Sequence, residues 1–181
     1  IPIFGSVTRL ADQKGIDITL GALEEMLVAP MQFVLLGSGS LEYERALQAL
    51  ANRHPTKVGV QLGYDHGLAH QIEAGSDFFL MPSRFEPCGL NQLYSSRYGT
   101  IPIVRRTGGL DDSVIDASDD MARADGIKFL EPAPHALAKA MRKAMLLFQN
   151  KELLRHYRVN GMSANFSWDK AVKQYEAAYG V

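Results

Sequence analysis

The stretch Gln32-Phe33-Val34-Leu35-Leu36-Gly37-Ser38-Gly39-Ser40-Leu41, continuing through Glu42-Tyr43-Glu44-Arg45 to Arg53, decides the fold. An unbroken apolar run, a glycine-rich turn and an amphipathic segment follow one another. An apolar run without polar alternation is what a strand buried on both faces requires. In the segment after it, Leu41, Ala46, Leu47 and Leu50 recur at helical spacing and lay one apolar stripe toward a sheet. Strand, turn and helix in that order make half of a parallel crossover unit.

The same unit repeats outward. Strands are predicted at 3–7, 32–36, 57–62, 78–81, 101–104 and 126–129. Helices are predicted at 15–27, 41–53, 67–74, 89–98 and 111–116, and the tail reads as helices 136–148, 151–159 and 168–178. Gly161 and the stretch 163–167 are expected to interrupt that tail. Alternation with short connections implies an α/β domain, a parallel sheet with helices on both faces. No linker, repeat or low-complexity segment divides the 181 residues, so 1–181 reads as one domain.

Composition narrows the function classes. With 46% hydrophobic and 22% charged residues the chain is globular rather than disordered. Nineteen basic against twenty acidic side chains give a net charge of −1, which argues against a nucleic-acid partner. Cys88 is the single cysteine, so neither an internal disulfide nor a multi-cysteine zinc site is possible, and a reducing compartment is favoured. No segment is long and apolar enough for a bilayer, and no membrane partner is expected. The opening Ile1-Pro2-Ile3-Phe4 has neither methionine nor a signal-like pattern and is expected to begin a domain of a larger protein.

In open α/β sheets ligands bind beyond the carboxyl ends of the strands. The segments expected there carry Thr8-Arg9-Leu10 and Gln13-Lys14-Gly15, Gly37-Ser38-Gly39, Gly63-Tyr64-Asp65, Ser83 to Leu90, and Arg105-Arg106-Thr107-Gly108-Gly109-Leu110. Cations, glycines and carboxylates thus gather on one rim. Arg9 and Lys14, five residues apart on the first turn, are either solvated charges or a pair aimed at phosphates beside a helix N-terminus. Glu86, held extended by Pro87, is either a helix N-terminal acid or a carboxylate in a site. Cys88 reads as a small packing residue before a nucleophile. Tyr64 reads as core or as a ring stacked on a base. Trp168 after Phe166 reads as a helix start with a hydrophobic staple.

Other motifs fail on inspection. A dinucleotide fingerprint from Gly37 would need glycine where Glu42 stands, so NAD is not expected. His66 and His70 have metal-ligand spacing, with Asp65 and Glu73 nearby, but Gly67 breaks the zinc-protease pattern and no metal is assigned.

Together, Ser83-Arg84-Phe85-Glu86-Pro87-Cys88-Gly89-Leu90, Arg97-Tyr98-Gly99-Thr100, Arg105 to Leu110, Thr8-Arg9-Leu10 with Gln13-Lys14-Gly15, and Phe166-Ser167-Trp168 closely resemble bacterial glycogen synthases and plant starch synthases. The resemblance spans essentially the whole chain. It implies a GT-B glycosyltransferase, two Rossmann-like domains facing a cleft, with this chain the C-terminal one and the N-terminal acceptor domain lying outside it. It further implies transfer of glucose from ADP-glucose to the non-reducing end of an α-1,4-glucan, with retention. ADP-glucose is then a substrate and ADP a product, and no cofactor is expected. By likeness, Arg9 and Lys14 would neutralise the diphosphate and Glu86 would contact the donor glucose and steady its positive charge. Gly89, Leu90, Asn91 and Gln92 would offer N–H groups to phosphate, and Tyr64 would lie against adenine. The compartment implied is the cytoplasm of a bacterium or the plastid of a plant. Asn91 stands where threonine is common, and Tyr94 where many related transferases have a second glutamate, so no ribose-binding carboxylate is assigned. Two alternatives remain open: a retaining transferase with another donor such as UDP-glucose, and a non-catalytic module binding nucleotide or glucan.

Overall fold

The computed structural model describes residues 1–180, apart from the side chains at 170, 171 and 174. Six strands form one sheet: β1 (Ile3–Leu10), β2 (Gln32–Gly39), β3 (Val58–Leu62), β4 (Phe78–Met81), β5 (Ile101–Arg105) and β6 (Ile127–Phe129). Their order is β3-β2-β1-β4-β5-β6, and every pairing is parallel. The chain builds outward from β1 to one edge, returns to the middle, then builds to the other. The reversal lies between β1 and β4, where the strand ends part and open a crevice.

The apolar runs face both ways, as their composition demands. Phe33, Leu35, Phe78 and Leu80 join the larger core beneath α1 (Ile16–Met26), α2 (Leu41–Arg53) and α6 (Pro134–Gln149). Their neighbours Leu36 and Phe79 join Ile72 of α3 (His66–Gly75) on the opposite face. Phe4 and Phe78 stack with centroids 5.3 Å apart beside the reversal. The remaining helices are α4 (Asn91–Tyr98), α5 (Gly108–Ser113), α7 (Lys151–Ser163) and α8 (Trp168–Tyr179). None of the described helices is long and apolar enough to cross a membrane.

The structure corrects several boundaries. β1 and β2 continue through Thr8-Arg9-Leu10 and Gly37-Ser38-Gly39, because Thr8 registers with Gly37, Arg9 with Ser38 and Leu10 with Gly39. Those residues end strands rather than form turns. Leu41 is 56% exposed, so the buried stripe of α2 is Leu47, Leu50 and Ala51. α5 begins at Gly108 and not near residue 111, and α4 begins at Asn91 and not at Gly89. Gly161 lies inside α7 rather than interrupting it, and sits beside Ser96 of α4. Trp168 begins α8 but is 79% exposed, and position 171, where a staple partner belongs, lies outside the described side chains.

Candidate functional site

The crevice at the reversal holds a cavity of about 340 Å³. Ser6, Val7, Thr8 and Arg9 of β1 form one wall, and Leu80 and Met81 of β4 with Pro82 and Ser83 after it form the other. Lys14, Glu86, Gly89, Leu90 and Asn91 close its mouth. A second hollow of about 260 Å³ shares Val7, Thr8, Arg9 and Asn91 with the first and continues past Gly37, Ser38 and Gly63 to Tyr64. The two form one elongated cleft with Arg9 at its waist.

Lys14 closes a short 3-10 turn, Asp12–Lys14, and Gly15 follows in the left-handed region at φ 69°. A side chain at position 15 would strike the Pro82 carbonyl, its Cβ only 2.3 Å away, so glycine lets the turn lie against the end of β4. Lys14 Nζ thereby reaches Glu86 and donates to Oε2, which also accepts from Ser83 Oγ at 3.3 Å. Both ion-pair side chains are largely enclosed, at 18% and 10% exposure. Glu86 Oε1 has no hydrogen-bond partner among the described residues. Arg9 is exposed, and no described carboxylate pairs with it.

The opposite lip is the start of α4. The first N–H groups of a helix have no carbonyl behind them; the turn's own bonds begin with Leu93 and Tyr94 donating to Leu90 O. Asn91 Nδ2 donates to Val7 O at 2.7 Å and ties this helix end to β1. The site therefore sets two cations across from a helix N-terminus, an arrangement that attracts an extended polyanion. Glu86 contributes one carboxylate inside the same cavity.

Of the residues singled out, Arg9, Lys14, Glu86, Gly89, Leu90, Asn91 and Tyr64 line the joined cleft. Gln92 does not: it is 1% exposed, and its Nε2 donates to Cys88 O, Gly89 O and Ser113 Oγ, bracing the loop from behind. Tyr64 is 86% exposed rather than core. Cys88 is exposed rather than packed, on the outside of the loop. His70 Nδ1 lies 2.9 Å from Glu73 Oε2, with His66 edge-on to the ring at 4.6 Å. Burial of Glu73 pushes its carboxyl upward. Thr8, Ser38 and Ser83, which fall in the rim segments but were given no role, also line the cleft, as does Ser6, which was not foreseen because a lone hydroxyl in a strand-like run carries no sequence signal.

The three later arginines of the rim are structural. Arg84 pairs with Asp17. Arg105 donates to the Ser83, Arg84 and Leu130 carbonyls, and burial pushes its guanidinium downward. Arg106 pairs with Asp111 and Asp119. The glycines beside them serve the loop of Glu86. Gly109 N donates to Glu86 O and Pro87 O, both at 3.1 Å. A Cβ on Gly109 would stand 2.3 Å from Cys88 O. Gly109→Ala is therefore expected to displace the 86–88 backbone and destabilise the fold by about 1–3 kcal/mol, the usual cost of overpacking. Thermal unfolding of the variant beside the parent measures it.

A second expectation concerns pH. The Arg106 guanidinium, and after it the Lys128 ammonium, hold the Asp119 carboxyl well below the usual carboxylate range. A depressed folded value stabilises above the unfolded value near about 4, and that stabilisation fades as pH falls through the folded one. Asp119→Asn should thus lower the unfolding temperature at pH 7, with the difference from the parent shrinking below about pH 4. A difference that stays constant down to pH 2 would refute this assignment.

The model describing "Glycosyl transferases group 1" matches residues 2–162. A glycogen synthase of Anaeromyxobacter dehalogenans is 51% identical over 179 residues, covering 99% of this chain and 37% of that protein. Glycogen synthase 2 of Nitrosococcus oceani is 48% identical over 182 residues, again 99% and 37%. Among solved structures, the catalytic domain of starch synthase IV from Arabidopsis thaliana, bound to ADP and acarbose, superposes with a TM-score of 0.88 at 37% identity. It covers 99% of this chain and 38% of that one. The chain spans little more than a third of the length of the relatives it matches.

Proposed function

Because this chain belongs to the group 1 glycosyltransferases, we propose that it is the nucleotide-sugar-binding domain of a longer, retaining glucosyltransferase of the glycogen and starch synthase kind. In this reading ADP-glucose lies along the cleft and glucose passes to the non-reducing end of an α-1,4-glucan held by a facing domain. The observation that carries it is the placement of Arg9, Lys14 and the start of α4 around one cavity that also holds Glu86. The ADP and acarbose in the starch synthase IV structure support it, as does the identity to bacterial glycogen synthases. That identity also favours a bacterial cytoplasm over a plastid.

Departure of ADP leaves negative charge on its phosphate. Arg9, Lys14 and the N–H groups of Leu90 and Asn91 line the same cavity and stabilise that charge as it develops. Glucose becomes oxocarbenium-like as the bond breaks, and the Glu86 carboxylate stabilises that cation. Tyr64 offers a flat exposed ring for adenine at the far end of the cleft. Lys14 connects the two charges, since it bonds Glu86 and lines the same cavity.

Titrating ADP, UDP and a maltooligosaccharide separately against the chain tests this reading. ADP binding well ahead of UDP is expected. UDP preference would assign another donor class, and glucan binding without nucleotide would make the chain a non-catalytic module.

A further inference from the structure

Resting on the reading of Lys14 as a diphosphate contact, we propose that Arg84 and Asp17 are positioning residues whose ion pair clamps the Lys14 turn to the Glu86 loop. Neither residue lines the cavity. Lys14 and Glu86 lie 72 residues apart in sequence and meet only because two loops are held together. A lysine is a point charge on a flexible stem, so where its ammonium stands depends on how firmly its backbone is fixed.

Arg84 fixes it from several directions. Its backbone N–H donates to Gln13 O at 2.8 Å. Its Nη1 donates to Asp12 O at 2.9 Å, gripping the other end of the same turn. Its two terminal nitrogens then meet both oxygens of Asp17, at 2.7 and 2.6 Å, on the first turn of α1. Gln13 Nε2 returns the contact by donating to Phe85 O at 2.9 Å. The turn is thus bracketed by bonds to residues 84 and 85, immediately before Glu86. Below it, Arg105 holds the Ser83 and Arg84 carbonyls and keeps the loop from sliding.

Side-chain exposures of 39% and 46% mark this as a surface pair, which ordinarily contributes little to stability. The bidentate geometry and the added grip on Asp12 give it directional control instead. The Arg84 hydrogen bond also holds the Asp17 carboxyl below its ordinary range, so the pair stays charged under working conditions. With its charge spent on Asp17, Arg84 is no third cation for the cleft.

The experiment is a cycle on the chain: parent, Arg84→Ala, Lys14→Ala and the double variant, each titrated with ADP and with adenosine. Arg84→Ala should weaken ADP by about tenfold, within the range for coupled neighbours. Adenosine affinity should not change, and adding Arg84→Ala to Lys14→Ala should cost nothing further. Independent losses that multiply in the double variant, or an equal loss for adenosine, would overturn the clamp. So would weakened ADP with Lys14→Ala but none with Arg84→Ala. A Lys14→Ala variant with parental ADP affinity marks a different failure, that of the site reading itself, and takes the clamp with it. If Arg84→Ala does not fold, Asp17→Asn, which preserves shape on the exposed side of the pair, must give the same pattern with a smaller loss.

Discussion

Replacing Glu86 with glutamine is expected to reduce glucose transfer by the longer enzyme at least about a hundredfold, the scale of losing one preorganised electrostatic contact, while ADP affinity stays near the parental value. The reason lies in which part of the donor each group faces. Glu86 is 8% exposed inside the cavity, with Oε2 occupied by Lys14 and Ser83 and Oε1 without a partner among the described residues. In the proposed pose that carboxylate faces glucose, which ADP lacks. An interaction that strengthens only as the sugar acquires positive charge lowers turnover when removed and leaves product binding alone. Glutamine keeps the size and one acceptor oxygen but not the charge. It also releases Lys14 from its ion pair, so ADP binding should be unchanged or slightly tighter. Near-parental turnover, or a loss of turnover that merely follows lost ADP binding, would reduce Glu86 to a partner that orders Lys14.

Arg9→Ala and Lys14→Ala are each expected to weaken ADP by about 1.5–3 kcal/mol, the range for hydrogen bonds to charged groups. Adenosine binding should change little, since it lacks the diphosphate. The structure adds a ranking. Lys14 is paired with Glu86, and phosphate must compete for it. Arg9 has no such partner among the described carboxylates and stands at the waist of the cleft. Arg9→Ala should therefore cost at least as much as Lys14→Ala. Calorimetry with ADP and adenosine decides it: equal losses for both ligands would show that the cations act through the fold.

What the sequence made legible followed from local chemistry. The run at 78–81 and the helix Leu41–Arg53 stand where they were expected, because apolar continuity and amphipathic spacing specify them without reference to the rest of the chain. The extension of β1 through Arg9 was not legible. Thr8-Arg9-Leu10 looks like a turn, and only pairing with Gly37-Ser38-Gly39 makes it strand. The same limit applied to the cations. Five basic residues, Arg9, Lys14, Arg84, Arg105 and Arg106, fall in the rim segments, and nothing local separates those facing the cleft from those bonded to carbonyls and carboxylates. Gly161 looked like a helix breaker, whereas α7 continues through it and packs against α4, a contact that no local pattern shows. Gln92 was assigned with its neighbours as a set, whereas its side chain turns inward to brace Cys88 and Gly89.

The central claim is that this cleft holds the nucleoside diphosphate of a sugar donor. A crystal structure of the chain with ADP tests it most directly. The account predicts the diphosphate between Arg9 and Lys14 on one side and the N–H groups of Leu90 and Asn91 on the other, with adenine against Tyr64 and Glu86 beyond the terminal phosphate. ADP bound elsewhere, or bound here with Arg9 and Lys14 turned away from its phosphates, would contradict it.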